Sequence, residues 1–220
     1  MTRSFEAQPA AAAASSRRPV VFVVDDDVSV RESLELLISY AGWRCETYAS
    51  AAQFLERPRV AVPSCLVLDV NLPDLSGLDL QQRVASDRGD MPIIFITGYS
   101  DVPMTVKAMK AGAVEFLTKP FSDEVLLGAI RSAIDRSTRA LGREAELSII
   151  REAYASLSRR EHDVMALVVT GALNKQVAAE LGISEITVKA HRGRVMRKMH
   201  ADSLAHLINI AAQLGLPSRH

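Results

Sequence analysis

The chain is poor in the features that staple extracellular proteins or carry a protein into a bilayer. It has only two cysteines, Cys45 and Cys65, without ligand spacing. Cys65 opens an apolar run, so both read as small buried hydrophobes in a reducing compartment, not as a disulfide or metal pair. No apolar run approaches the roughly 20 residues needed to cross a bilayer. The first 18 residues contain five successive alanines, Ala10 to Ala14, but no strongly apolar signal-peptide core. These absences predict a cytoplasmic protein with a disordered extension over residues 1–18 and no membrane partner. Net charge is missing too, since 26 Lys and Arg balance 26 Asp and Glu, and nothing at this level indicates a purely electrostatic binder of nucleic acid or membrane.

What is present alternates. From Pro19 onward, short β-branched runs (Val20 to Val24, Arg44 to Tyr48, Cys65 to Leu68, Pro92 to Thr97, Val114 to Leu117) are separated by amphipathic stretches. That rhythm predicts βα units around a parallel sheet. In the segment Val28 to Ala41, residues Val30, Leu34, Leu37, Ile38 and Ala41 share one helical face, and Gly42 ends it as a C-cap. Further helices are expected over Ser76 to Ser86, Val102 to Ala111 and Ser122 to about Thr138. Residues 139–156 carry three Arg against three Glu with irregularly spaced apolar positions, which reads as a linker, helical and continuous with the helix before it. Beyond Leu157 there are no strand-like runs, and four helices fit: Ser158 to Val169, Asn174 to Leu181, Ser184 to Met199 and Ser203 to Leu214.

The neutral total conceals a division. Residues 19–138 hold 11 basic and 17 acidic side chains, a net −6, whereas residues 156–220 hold 9 and 5, a net +4. An acidic module followed by a basic one suits a regulatory domain joined to a nucleic-acid binder.

The first strand runs into Asp25, Asp26 and Asp27, and the third ends at Asp69, followed by Val70 and Asn71. In open α/β sheets functional groups collect at the carboxyl edge where strand order reverses, which in the order 2-1-3-4-5 lies between strands one and three. Helix capping accounts for Asp27, but converging carboxylates repel unless a cation joins them. Hard oxygen ligands favour Mg²⁺. Thr97 at the end of the fourth strand and Lys119 after the fifth add a hydroxyl and an ammonium to the same edge. A carboxylate nucleophile with a metal, a hydroxyl and a lysine describes aspartyl-phosphate chemistry.

The motifs Val24-Asp25-Asp26, Asp69-Val70-Asn71-Leu72-Pro73-Asp74-Leu75-Ser76-Gly77, Thr97-Gly98 and Lys119-Pro120-Phe121 resemble the signature set of receiver domains, over about residues 19–138. The resemblance implies a flavodoxin-like, doubly wound five-stranded sheet. It also implies that Asp69 accepts phosphoryl from a histidine kinase. Asp26 and Asp69 would bind Mg²⁺ directly with the Asn71 carbonyl, Asp25 through water, and Lys119 would pair with the phosphoryl oxygens. Thr97 would move toward the phosphoryl group. Phe116 occupies the position of an aromatic switch, although an apolar residue on a buried strand is also ordinary core, and Phe lacks the hydroxyl that a switching hydrogen bond needs.

In the second module, Ser158 and Glu161 form a capping box, Asn174 is expected to cap the next helix, Gly182 to supply a turn and Ser184 to cap the third. This is a helix-turn-helix pattern, in an all-α domain over residues 157–220. At about 100° per residue, Val195 and Met199 fall within about 20° of Val188, with His191 and Arg192 nearby, as the inward face. His191 is read there as a packed, hydrogen-bonded core residue. Lys189, Ala190, Gly193, Arg194 and Arg197 lie opposite. A solvated basic face would look the same, but Asn174-Lys175-Gln176-Val177-Ala178, Gly182-Ile183-Ser184, Thr187-Val188-Lys189-Ala190-His191-Arg192 and Lys198-Met199 are similar to LuxR-type helix-turn-helix domains. Their pairing with a receiver resembles the FixJ-like response regulators. That resemblance implies that Lys189, Ala190 and Gly193 face bases of double-stranded promoter DNA while Lys175 and Thr187 approach the backbone. The short Ala190 and Gly193 shift direct readout toward Arg194 and Arg197. Homodimerisation on phosphorylation and contact with RNA polymerase are further expectations. A phosphohydrolase using an Asp69 intermediate is the enzyme-class rival, but Asn71 stands where its general acid would be needed, and the chain is not expected to be an enzyme. A phosphate-independent interaction module would not require the set Asp25, Asp26, Asp69, Thr97 and Lys119.

Overall fold

Five strands, β1 (Val20–Val24), β2 (Arg44–Tyr48), β3 (Ser64–Asp69), β4 (Ile93–Thr97) and β5 (Glu115–Thr118), pair in the order β2-β1-β3-β4-β5, all parallel. The computed structural model describes residues 18–99 and 101–216; apart from Arg18, the extension expected to be disordered lies outside them. The chain divides into two compact units, Met1–Gly142 and Arg143–His220.

The sheet is covered on both faces, and successive residues of its central strands serve opposite cores. Phe22, Leu66, Leu68 and Phe95 pack with Ala51 and Phe54 of α2 (Ala51–Glu56), Leu80 and Val84 of α3 (Gly77–Asp87) and Ala108 of α4 (Val102–Lys110). Val21, Val23, Val67, Ile94 and Ile96 pack with Leu34 and Ile38 of α1 (Val28–Tyr40) and with Leu126, Ile130 and Ala133 of α5 (Asp123–Ala155). This double coverage explains why the central strands are apolar without polar alternation.

Helix ends follow local chemistry. The Asp27 carboxylate accepts the Ser29 N–H at 2.8 Å and starts α1. Ala41 is the C-cap, and Gly42, which the sequence suggested for that position, comes one residue later at φ +91°. A left-handed residue just past the cap is the glycine's usual place. The short α2 has no counterpart among the predicted helices. In α5 the buried residues end at Ser137, whose Oγ accepts the Ser64 N–H at 3.0 Å, and the helix runs on to Ala155.

The second unit contains α6 (Arg159–Val168), α7 (Asn174–Leu181), α8 (Glu185–Lys198) and α9 (Leu204–Gln213), closed around Val164, Met165, Val168, Val177, Val188, Val195, Met199 and Leu207. Ser158 and Glu161 complete a capping box, and Ser184 accepts the Thr187 N–H. Two expectations are corrected. Leu173, not Asn174, is the extended residue before α7, because the Gln176 side chain accepts its N–H at 2.8 Å. His191 is half-buried, but its buried Nδ1 has no hydrogen-bond partner, so it packs without the expected bond.

Candidate functional site

The parallel sheet delivers its acids to one edge. Asp25 follows β1 and is fully buried, Asp69 ends β3 at 7% exposure, and Asp26 is exposed. One carboxylate oxygen from each lies within 4.8 Å of the other two. Lys119, after β5, donates from Nζ to Asp25 Oδ2 at 2.7 Å and to Asp69 Oδ2 at 2.9 Å. The Asn71 N–H donates to Asp69 Oδ1 at 2.9 Å, so both oxygens of this carboxylate are oriented by the protein. Burial pushes the Asp25 carboxyl up from its ordinary value against the opposing hydrogen bond from Lys119. Burial alone would lower the Lys119 ammonium, but its bonds to Asp25 and Asp69 outweigh that and raise it.

The loops that carry the acids are tied down by Arg31, which the sequence did not single out, and by Asp74 and Gly77 of the Asp69 motif. Arg31 on α1 donates from Nη1 to the carbonyls of Asp25 at 2.7 Å and Asp26 at 2.9 Å. In the loop after Asp69, the Asp74 carboxylate accepts the N–H groups of Ala51 at 3.3 Å and Ala52 at 2.8 Å, and the Ala52 bond leads in holding Asp74 below the usual carboxylate range. Gly77 opens α3 so close to the site that a Cβ there would stand 2.4 Å from the Asp69 carbonyl oxygen. Only glycine permits that approach.

Thr97 is fully buried at the end of β4, beside β3 through the pairing of Ile96 with Asp69. Its hydroxyl donates to the Tyr99 carbonyl at 2.7 Å and accepts the Tyr99 N–H at 3.2 Å, so it is engaged by its own loop. Phe116 is half-buried with its ring centroid 5.9 Å from that of Phe95. The donor set suits Mg²⁺: three carboxylates meet one shared ammonium, which leaves an excess of negative charge among hard oxygen donors. Asp25, Asp26 and Asp69 would hold the ion.

On α8, Val188, Val195 and Met199 are buried, whereas Lys189, Ala190, Gly193, Arg194 and Arg197 are exposed, as is Lys175 on α7; Thr187 is half-buried. Two other cations of α8 are engaged internally. Arg192 donates to Asn174 Oδ1 at 3.1 Å, and Lys198 donates to the Ser156 carbonyl at 2.9 Å and to Glu161 Oε2 at 2.7 Å. The Lys198 bond holds the Glu161 carboxyl down at about 2. Neither tie could be read from charge alone. Ile186, in the first turn of α8, lies on the same outward face at 80% exposure, and a single apolar residue there carries no signal of its own in the sequence. Among the described residues no helix is long and apolar enough to cross a membrane.

Comparison with known proteins assigns families to both units. The response regulator receiver domain model matches residues 21–131, and the model of bacterial regulatory proteins of the luxR family matches residues 155–211. Nodulation protein W of Bradyrhizobium diazoefficiens is 49% identical over 203 residues, covering 92% of this chain and 89% of that protein. The transcriptional regulatory protein FixJ of Rhizobium meliloti is 41% identical over 191 residues, covering 87% and 94%. Among solved structures, the response regulator StyR superposes with a TM-score of 0.77 at 45% identity, covering 89% of this chain and 99% of that one.

Proposed function

The chain belongs to the response regulators that join a receiver domain to a LuxR-type DNA-binding domain, and from that premise we propose that Asp69 is the residue through which a histidine kinase controls its binding to promoter DNA. The observation that carries this reading is the Lys119 ammonium shared between Asp25 and Asp69 beside the exposed Asp26. The receiver extends over residues 19–138, the linker over 139–156 and the DNA-binding domain over 157–220.

An Asp69 carboxylate oxygen attacks the phosphorus of a phosphohistidine on the kinase. The phosphorus–nitrogen bond breaks, the imidazole leaves and an acyl phosphate forms. Asp26, Asp69 and the Asn71 carbonyl would hold Mg²⁺ directly and Asp25 through water, and the ion would supply charge neutralisation when bound. Lys119 gives up part of its bond to Asp69 and turns to the phosphoryl oxygens, still anchored by Asp25. Thr97 exchanges the Tyr99 carbonyl for a phosphoryl oxygen, and Phe116 follows inward over Phe95. The modified receiver dimerises, which places two reading heads on two half-sites of DNA. Lys189, Ala190, Gly193, Arg194 and Arg197 form the base-facing surface, Lys175 and Thr187 meet the backbone, and the bound dimer contacts RNA polymerase.

Labelling of the full chain with a small phosphoryl donor tests the site. Label is expected at Asp69 only with a divalent cation and is expected to vanish in Asp69→Asn. Undiminished labelling in excess chelator, or in the variant, would overturn the assignment.

A further inference from the structure

One feature of α8 concerns which base the helix reads. At about 100° per residue, Ile186 falls within about 20° of both Gly193 and Arg197, so a single outward stripe runs Ile186, Gly193, Arg197 along the helix. Ile186 is 80% exposed. Singly exposed apolar residues are common and mean little alone. Gly193 gives this one a context. It is absent from the positive-φ glycines, and a Cβ built on it meets nothing within 4 Å. Neither backbone strain nor internal packing therefore calls for glycine there, and glycine within a helix weakens it. Gly128 and Gly142 on α5 are equally open, so it is the setting of Gly193 among exposed cations that matters, where its missing side chain admits another molecule at backbone range.

The charges around the stripe identify the molecule. Lys189 and Arg194 are exposed beside it and Arg197 within it, whereas Arg192 and Lys198 are tied to Asn174 and Glu161. Exposed cations around a helix face that carries no side chain at Gly193 suit the major groove of duplex DNA. The first turn of a reading helix lies nearest the base edges, and the apolar group presented there is the 5-methyl of thymine. We propose that Ile186 is a specificity-determining residue that packs on a thymine methyl in each half-site, an inference that rests on the DNA-binding reading above.

The test uses the full-length, Asp69-phosphorylated protein. A random duplex library is first selected on it, and each thymine of the recovered site is then replaced in turn by uracil, which removes only the methyl. One position per half-site is expected to lose about fourfold in affinity. Ile186→Ala, an exposed change to a better helix former, should weaken the thymine duplex by a similar factor and bind thymine and uracil duplexes equally, while Ile186→Val keeps most of the discrimination. Discrimination that survives in Ile186→Ala at every position would overturn the proposal. So would an Ile186→Ala protein with unchanged DNA affinity but reduced transcription by added RNA polymerase, which would make the residue a protein contact. Failure to recover any duplex would overturn the DNA-binding reading itself.

Discussion

The two units handle charge in opposite ways. In the first, the acids Asp25 and Asp69 are buried and tied to Lys119 over distances of 2.7 and 2.9 Å. In the second, Lys189, Arg194 and Arg197 point outward. Buried charges interact strongly with near neighbours and are little screened, whereas exposed ones act at longer range and weaken with salt. Buried ionic groups therefore suit a local chemical decision in one unit, and exposed cations suit attraction to a long polyanion in the other.

Four experiments would break or sharpen that contrast. The largest effect is expected at Asp25. Because burial penalises its charged form, Asp25→Asn should make the receiver more resistant to urea while reducing Mg²⁺ affinity roughly tenfold or more; calorimetric titration and denaturation curves would show both. A variant that loses stability would mean that the Lys119 pair outweighs the cost of burial.

Glu161 is the second unit's exception, a buried acid at 3% exposure. Its carboxyl is held at about 2, below the ordinary 4.5, first by Lys198 and then by the Ser158 N–H. A depressed carboxyl stabilises the fold above its unfolded value, so this contribution is complete at neutral pH and is lost as pH falls from 4.5 toward 2. Since Lys198 is 39% exposed, screening limits the pair, and Glu161→Ala should cost about 2 kcal/mol including the capping box. Hydrogen exchange of α6 and α8 amides at pH 7 would reveal it, and the difference from wild type should shrink in acid.

Arg197→Ala probes an outward charge and is expected to leave folding unchanged. It should reduce the log–log salt dependence of DNA binding by about one unit if the guanidinium meets a phosphate. An unaltered slope across a salt series would leave Arg197 to the base edges, without a phosphate contact. The smallest effect is expected from Gly193→Ala, which has open space around it. It should stabilise α8 by up to about 1 kcal/mol yet weaken specific binding. A variant more stable and equally tight would show that the groove is not approached closely there.

The same contrast accounts for what could be read in the sequence. β1, β3 and β4 were legible as apolar runs between helical periods, β2 and β5 followed from the alternation of strand and helix segments, and the acids were legible because they end strands. Lys189, Gly193 and Arg197 were placed on the outer face of α8 by periodicity alone. The short α2 was not legible, since its six residues bury only Ala51 and Phe54 and its first amides are capped by Asp74 from a distant loop. Arg31 was not legible because its partners are backbone carbonyls, which no pattern of side chains records. The bonds that occupy Arg192 and Lys198 depend on Asn174 and Glu161, 18 and 37 residues earlier.

The Lys119 contacts also bear on how the domain is assembled. Lys119 lies 94 residues after Asp25 and 50 after Asp69. A chain emerging from the ribosome therefore has its acids in hand well before their ammonium. Until β5 joins the edge, the first four strands must come together around carboxylates that lack this counter-ion. Docking of the last strand thus completes the chemistry and relieves the repulsion in one step, and Lys119→Met, which keeps the strand and the helix after it, is expected to leave the β1 and β3 amides more open to hydrogen exchange unless Mg²⁺ is added.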